Sequence, residues 1–118
     1  VFELSNLSIW KYNIQEMERV KILRYENGGK YKWHTDTGAK ETSTRKLTAV
    51  VQLSDETKYE GGNLEFGITD DSGEKNYTAP RTRGSIIVFP SFLSHRVTPI
   101  IKGRRYSLIT WMNGDTWK

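Results

Sequence analysis

Short runs of β-branched and aromatic residues, each closed by a cluster of Gly, Asn or Asp, recur along this chain and confine it to a mainly β fold. Val20–Tyr25, Leu47–Leu53, Asn63–Ile68, Ser85–Phe89 and Arg105–Met112 read as strands. Ile9–Tyr12 reads as a further strand able to form a hairpin with Val20–Tyr25, and Ile14–Val20 reads alternatively as a short helix. Asn27-Gly28-Gly29, Gly61-Gly62-Asn63 and Asp70-Asp71-Ser72-Gly73 are the turn clusters. Gly61-Gly62 lacks the Lys-Ser/Thr of a phosphate loop, so it reads as a hairpin turn or bulge. Many short strands at fairly regular spacing specify a sandwich or barrel. No repeat or linker interrupts them, and 118 residues read as a single domain, 1–118. Thr37–Lys46 is polar and aperiodic, the pattern of a loop beside the neighbouring strands.

Composition removes several chemistries. With no cysteine there are no disulfides, thiolate metal sites or cysteine nucleophiles. No apolar run approaches the length of a membrane span, and the first residues lack the layout of a signal peptide, which favours a cytoplasmic protein. The chain opens on Val1-Phe2-Glu3-Leu4 without Met, as a piece of a longer protein would. The net charge of +4 arises from 18 basic and 14 acidic residues that are interspersed, the pattern of a solvated mixed-charge surface. Lys30, Lys32, Lys40, Arg45 and Lys46 nonetheless gather around one motif and suggest a mouth that attracts anions. Nucleic acid is the alternative partner, with Trp33, Tyr59 and Tyr77 as candidate stacking residues. Nothing in the sequence specifies an oligomeric state.

That motif is His34-Thr35-Asp36, and the only other histidine in the chain is His95. Two imidazoles and one carboxylate are the ligands of the facial triad that holds non-haem Fe(II) with open coordination positions. If His34 and Asp36 lie on one strand, alternation turns both to one face and Thr35 away. On the last strand Arg105, Ser107, Ile109 and Trp111 share a face. Arg105 directed into a barrel would need an anionic partner to offset its desolvation, and Arg104 beside it is an equal candidate for the inward position. Each residue alone reads more simply as a surface or strand-end group. Together they form one ordered set on a β-rich pattern.

From Tyr25 to Trp111 the chain resembles the Fe(II)- and 2-oxoglutarate-dependent dioxygenases, in particular the prolyl-4-hydroxylase-like branch with its small bacterial and phage members. The resemblance is carried by Tyr25-Glu26-Asn27-Gly28-Gly29-Lys30-Tyr31-Lys32-Trp33-His34-Thr35-Asp36, Leu47–Ser54, Gly61-Gly62-Asn63-Leu64-Glu65-Phe66, Gly84–Pro90, Ser94–Pro99 and Gly103–Trp111, in that order. It implies a double-stranded β-helix, a jelly-roll, cupin-like barrel. It implies His34, Asp36 and His95 as iron ligands, Arg105 as the partner of the distal carboxylate of 2-oxoglutarate, and Tyr25 as a residue lining the co-substrate pocket. Gln52 stands where some relatives place a tyrosine that touches the same carboxylate, and Trp111 matches a packing tryptophan. The cofactors implied are Fe(II), 2-oxoglutarate and O2, with ascorbate as reductant.

The activity implied is hydroxylation of an unactivated C–H bond with release of succinate and CO2. A peptidyl proline in a peptide or protein is the substrate the branch suggests. The same chemistry on a free amino acid, another side chain or a nucleobase, and a non-catalytic cupin-like binding module, are the alternatives. Members of the family carry helices ahead of the first strands, whereas few residues precede Tyr25 here, so the domain is either minimal or lacks its N-terminal helices.

Overall fold

The computed structural model describes residues 14–38, 44–70 and 73–114. Among these residues the elements are β1 (Ile14–Met17), β2 (Lys21–Glu26), β3 (Tyr31–His34), β4 (Arg45–Gln52), a 3-10 turn (Glu56–Lys58), β5 (Tyr59–Gly61), β6 (Leu64–Asp70), β7 (Gly73–Thr78), β8 (Ile86–Pro90), β9 (His95–Val97) and β10 (Ile100–Gly114). They form two sheets. The larger runs β1-β10-β4-β8, with β2 and β5 also paired to β10, and the smaller runs β3-β9-β6-β7. Every pairing is antiparallel.

One apolar core joins the sheets: Tyr25, Val50, Ile109 and Trp111 from the larger pack with Leu64, Phe66 and Val97 from the smaller. Strand register decides which side chains enter it. Ser107 lies opposite Gln52, Ile109 opposite Val50 and Trp111 opposite Thr48. Across β2, Arg105 lies opposite Tyr25 and Ser107 opposite Leu23. Directly opposed residues of antiparallel strands share a face, so these pairs stack as layers inside the barrel. The jelly-roll expectation therefore matches the two facing sheets.

The expected strands are present, with shifted ends. β10 begins at Ile100 rather than at Arg105, because Gly103 adopts φ +79° and lets the chain kink without leaving the sheet. The alternative of a helix over Ile14–Val20 is overturned, because Ile14–Met17 pairs with the end of β10 and its backbone groups are satisfied there. The main partner of β2 is β10. The expected strand Ile9–Tyr12, the middle of the Thr37–Lys46 loop and the tip of the Asp70–Gly73 turn lie outside the described residues. β3, β5 and β9 are too short and polar to show a period of two, and β7 carries little apolar signal.

Gly61 and Gly62 carry the chain from β5 of the larger sheet to β6 of the smaller, so they close no hairpin; the irregular pairing of β5 with β10 beside Gly61 fits the bulge alternative. Gly61 has φ +76°, and a Cβ there would stand 2.1 Å from the Pro99 carbonyl oxygen. Gly28 has a similar φ of +82° but open space around it. Positive φ alone costs an L-residue about 1–2 kcal/mol. Gly28→Ala is therefore expected to lower stability by about that much, and Gly61→Ala by roughly 4 kcal/mol, the range of exceptional substitutions. Urea unfolding of the two variants checks this; equal losses would contradict the close approach at Gly61.

Candidate metal centre

His34 closes β3 and His95 opens β9, and the two are paired across the small sheet. Their rings lie with centroids 4.2 Å apart, tilted by 55°. Each Nδ1 faces a backbone carbonyl: that of Lys32 at 2.6 Å for His34 and that of Leu93 at 2.9 Å for His95. A carbonyl can only accept, so each Nδ1 carries a hydrogen and each Nε2 is the atom turned toward Asp36, a donor to the carboxylate when it carries a hydrogen and a metal ligand when it does not. Both Nε2 atoms converge on Asp36 Oδ1 at 3.3 Å. Cis ligands held about 2.1 Å from a metal lie about 3 Å apart, so the spacing suits a divalent cation on one shared face. These three are the group able to hold a metal among the described residues.

Asp36 reaches this position by a route that differs from strand alternation. β3 ends at His34 and Asp36 sits in a bend, where its N–H donates to the Ser91 carbonyl at 2.9 Å. Thr48 Oγ1 donates to Asp36 Oδ2 at 2.7 Å. Burial alone would raise the Asp36 pKa, but hydrogen bonds from His34, His95 and Thr48 hold the carboxyl well below the usual range. The His34 pKa is raised: burial lowers it, but the Asp36 and Lys32 hydrogen bonds outweigh that. Tyr31 stacks on the outer face of His34, ring centroids 3.8 Å apart, and Phe89 meets His95 edge-on at 4.8 Å.

A cavity of about 410 Å³ opens beside the triad. Leu23, Val50, Leu64, Val97 and Ile109 supply apolar walls, and Tyr25, Arg105, Ser107 and Trp111 also line it. Arg105 is 1 % exposed, whereas Arg104 points outward and pairs with Glu26 at 2.6 Å. The inward arginine is thus Arg105. Its Nη2 donates to Gln52 Oε1 at 3.0 Å, its guanidinium lies 5.2 Å from the Tyr25 ring centroid, and its Nε has no partner. No carboxylate pairs with it among the described residues. Burial pushes its pKa down, and burial likewise pushes the Tyr25 pKa up. A sealed guanidinium with a donor to spare suits a carboxylate-bearing ligand in the cavity.

Gln52 does not line the cavity. It is 2 % exposed, accepts from Arg105 and donates through Nε2 to the Pro80 carbonyl at 3.1 Å, so it backs the arginine rather than facing a ligand. Trp111 packs in the core, as read, with the Arg45 guanidinium 3.8 Å from its ring. Tyr59 is buried under Arg81, which removes it as a stacking residue for bases, while Trp33 and Tyr77 are exposed. The reading of the sequence missed Thr48 and Ser91. Thr48 did leave a signal, a hydroxyl inside the apolar run Leu47–Val51, whereas Ser91 left none.

Residues 20–113 match the family model described as the 2OG-Fe(II) oxygenase superfamily. The chain is 34% identical over 98 residues to a PKHD-type hydroxylase of Idiomarina loihiensis, and 31% identical over 99 residues to one of Synechococcus sp.. These matches cover 83% and 84% of this chain and 43% of each relative, so the chain spans less than half the length of these relatives. A Pseudomonas putida prolyl-4-hydroxylase superposes with a TM-score of 0.77 at 23% identity, over 96% of this chain and 60% of that one. A Trichoplax adhaerens prolyl hydroxylase, solved with a hypoxia inducible factor peptide fragment, gives 0.75 at 19% over 94% and 50%. The shared architecture is the double-stranded β-helix.

The unpaired burial of Arg105 makes a prediction about the ligand-free protein. Replacing a buried charge by an apolar group of similar length is often neutral or stabilising by about 1–4 kcal/mol. Arg105→Met is expected to unfold at the same or a higher urea concentration. A loss beyond about 2 kcal/mol, the scale of breaking a needed buried interaction, would make the guanidinium a structural group instead.

Proposed function

This chain belongs to the 2OG-Fe(II) oxygenase superfamily, and on that footing we propose that it hydroxylates an unactivated C–H bond of a peptidyl proline, using Fe(II), 2-oxoglutarate and O2. The observation that carries the reading is one cavity with a two-His, one-Asp donor set and a buried, carboxylate-free arginine. In it His34 Nε2, His95 Nε2 and Asp36 Oδ1 hold the iron. Arg105 pairs with the distal carboxylate of 2-oxoglutarate, and Gln52 holds the guanidinium from behind. Tyr25 flanks that carboxylate, and the aliphatic walls exclude water from the reacting face.

The bound iron and co-substrate supply the oxidising chemistry, in which O2 oxidatively decarboxylates 2-oxoglutarate to succinate and CO2 and delivers one oxygen atom to the C–H bond. The protein's residues orient and shield. Tyr31 lines the cavity, is half exposed and stacks on His34, which places an aromatic face beside the metal where a proline ring can pack. The peptide-bound prolyl hydroxylase among the structural relatives supports a peptide substrate for this chain as well.

Anaerobic addition of 2-oxoglutarate to the Fe(II)-loaded protein is expected to produce the visible charge-transfer absorption of a chelated iron–oxo-acid complex, and His95→Ala is expected to lack it. No band from a folded, iron-binding parent would sink the reading. In succinate-release assays with ascorbate present, His34→Ala and Asp36→Ala are expected to lose turnover while remaining folded. Arg105→Ala removes a charge-assisted pair worth about 2–3 kcal/mol and should raise the KM for 2-oxoglutarate roughly 30- to 150-fold. Proline-containing peptides, free proline and oligonucleotides offered side by side test the substrate class by mass gain of one oxygen atom.

A further inference from the structure

We propose that Thr48 and Ser91 are positioning residues that hold Asp36 to ligation through a single oxygen, an inference that rests on the reading of His34, Asp36 and His95 as a metal site. Thr48 lies at the centre of the larger sheet, between Trp111 of β10 and Phe89 of β8, and is 0% exposed. The flanking run Leu47-Thr48-Ala49-Val50-Val51 is otherwise apolar, and a valine would fill the same volume. A buried hydroxyl is costly unless it is bonded, and the partners of this one are Asp36 Oδ2 at 2.7 Å and Ser91 Oγ at 3.0 Å.

The proton order follows. An ionised carboxylate only accepts, so the Thr48 hydrogen points at Asp36. Ser91 Oγ is then the donor to Thr48 Oγ1. Ser91 is itself 0% exposed and pinned, its N–H donating to the Lys46 carbonyl at 2.9 Å while its own carbonyl receives the Asp36 N–H. Backbone and side chain of Asp36 are therefore both held by the same pair of residues. With Oδ2 bound on the far side, Oδ1 alone faces the two imidazole nitrogens. A carboxylate free to rotate could offer both oxygens to the metal and occupy a position that an oxo-acid or O2 needs. The hydroxyl pair keeps that position open and draws charge from the carboxylate.

The test is titration of the metal-free protein with Mn(II), followed by electron paramagnetic resonance, together with the visible spectrum of the Co(II)-loaded protein. Partners of metal ligands commonly contribute 10- to 100-fold in affinity. Thr48→Val is expected to weaken Mn(II) binding by about that factor and to alter the Co(II) bands, which report coordination number. Thr48→Ser, which keeps the hydroxyl, should restore both. Ser91→Ala, which leaves Thr48 in place without its donor, should shift the Co(II) bands with a smaller loss of affinity, and it serves as the reading if Thr48→Val does not fold. Thr48→Val with parental Mn(II) affinity and an unchanged Co(II) spectrum would overturn the proposal. If His34→Ala also binds Mn(II) as the parent does, the metal-site reading itself fails, and the proposal with it.

Discussion

The burial of one carboxylate is the constraint on which the arrangement of the site depends. Asp36 is 7% exposed, and a charge there is tolerable only if every lone pair is engaged. Its partners come from across the barrel: His34 from β3, His95 from β9, Thr48 from β4 and Ser91 from the turn after β8. Two of those elements belong to the smaller sheet, and two to the larger sheet or its connection. The electrostatic requirement of one side chain therefore gathers groups from both sheets at the site, while the apolar core between the sheets holds the fold. The imidazoles obey the same logic, since each is held by the carbonyl two residues before it and has one orientation available.

Arg105 makes the opposite pole of the cavity. The triad gathers negative charge and lone pairs at one end, and the guanidinium places positive charge at the other, with aliphatic walls between them. A ligand that chelates a cation at one end and carries a carboxylate at the other matches both poles. Gln52 and Tyr25 give the guanidinium neutral company rather than a counter-ion, so its charge stays available to a ligand. Stability is given up for that availability, because a paired or apolar residue would sit there more comfortably.

Parity along a strand was legible without coordinates. Arg105, Ser107, Ile109 and Trp111 were expected on one face and do line one cavity. The expected strands exist because their β-branched runs are long enough to show their period. Elements of three or four residues such as β3 and β9 were not legible, since they are strands by virtue of their partners rather than their composition. The choice between Arg104 and Arg105 also lay beyond the sequence, because both faces of β10 carry apolar residues and only its place in the sheet shows which face meets the cavity. Asp36 does lie beside His34, but the bend replaces the expected reason: hydrogen bonds to Ser91 and Thr48, not alternation, turn it inward.

The sequence by itself determined the mainly β class, the ordered His34-x-Asp36, His95 and Arg105 set and, through its ordered motifs, the family, because residue types and short-range spacing are properties of the chain. Tertiary structure decided everything that depends on distant strands meeting. It brought Thr48 and Ser91, 43 positions apart, onto one aspartate, and it set Gln52 behind Arg105 rather than before the cavity. The physical reason is that a hydrogen bond's geometry is fixed to a few tenths of an ångström, whereas separation along a chain leaves the distance between two side chains open until the sheets close around them.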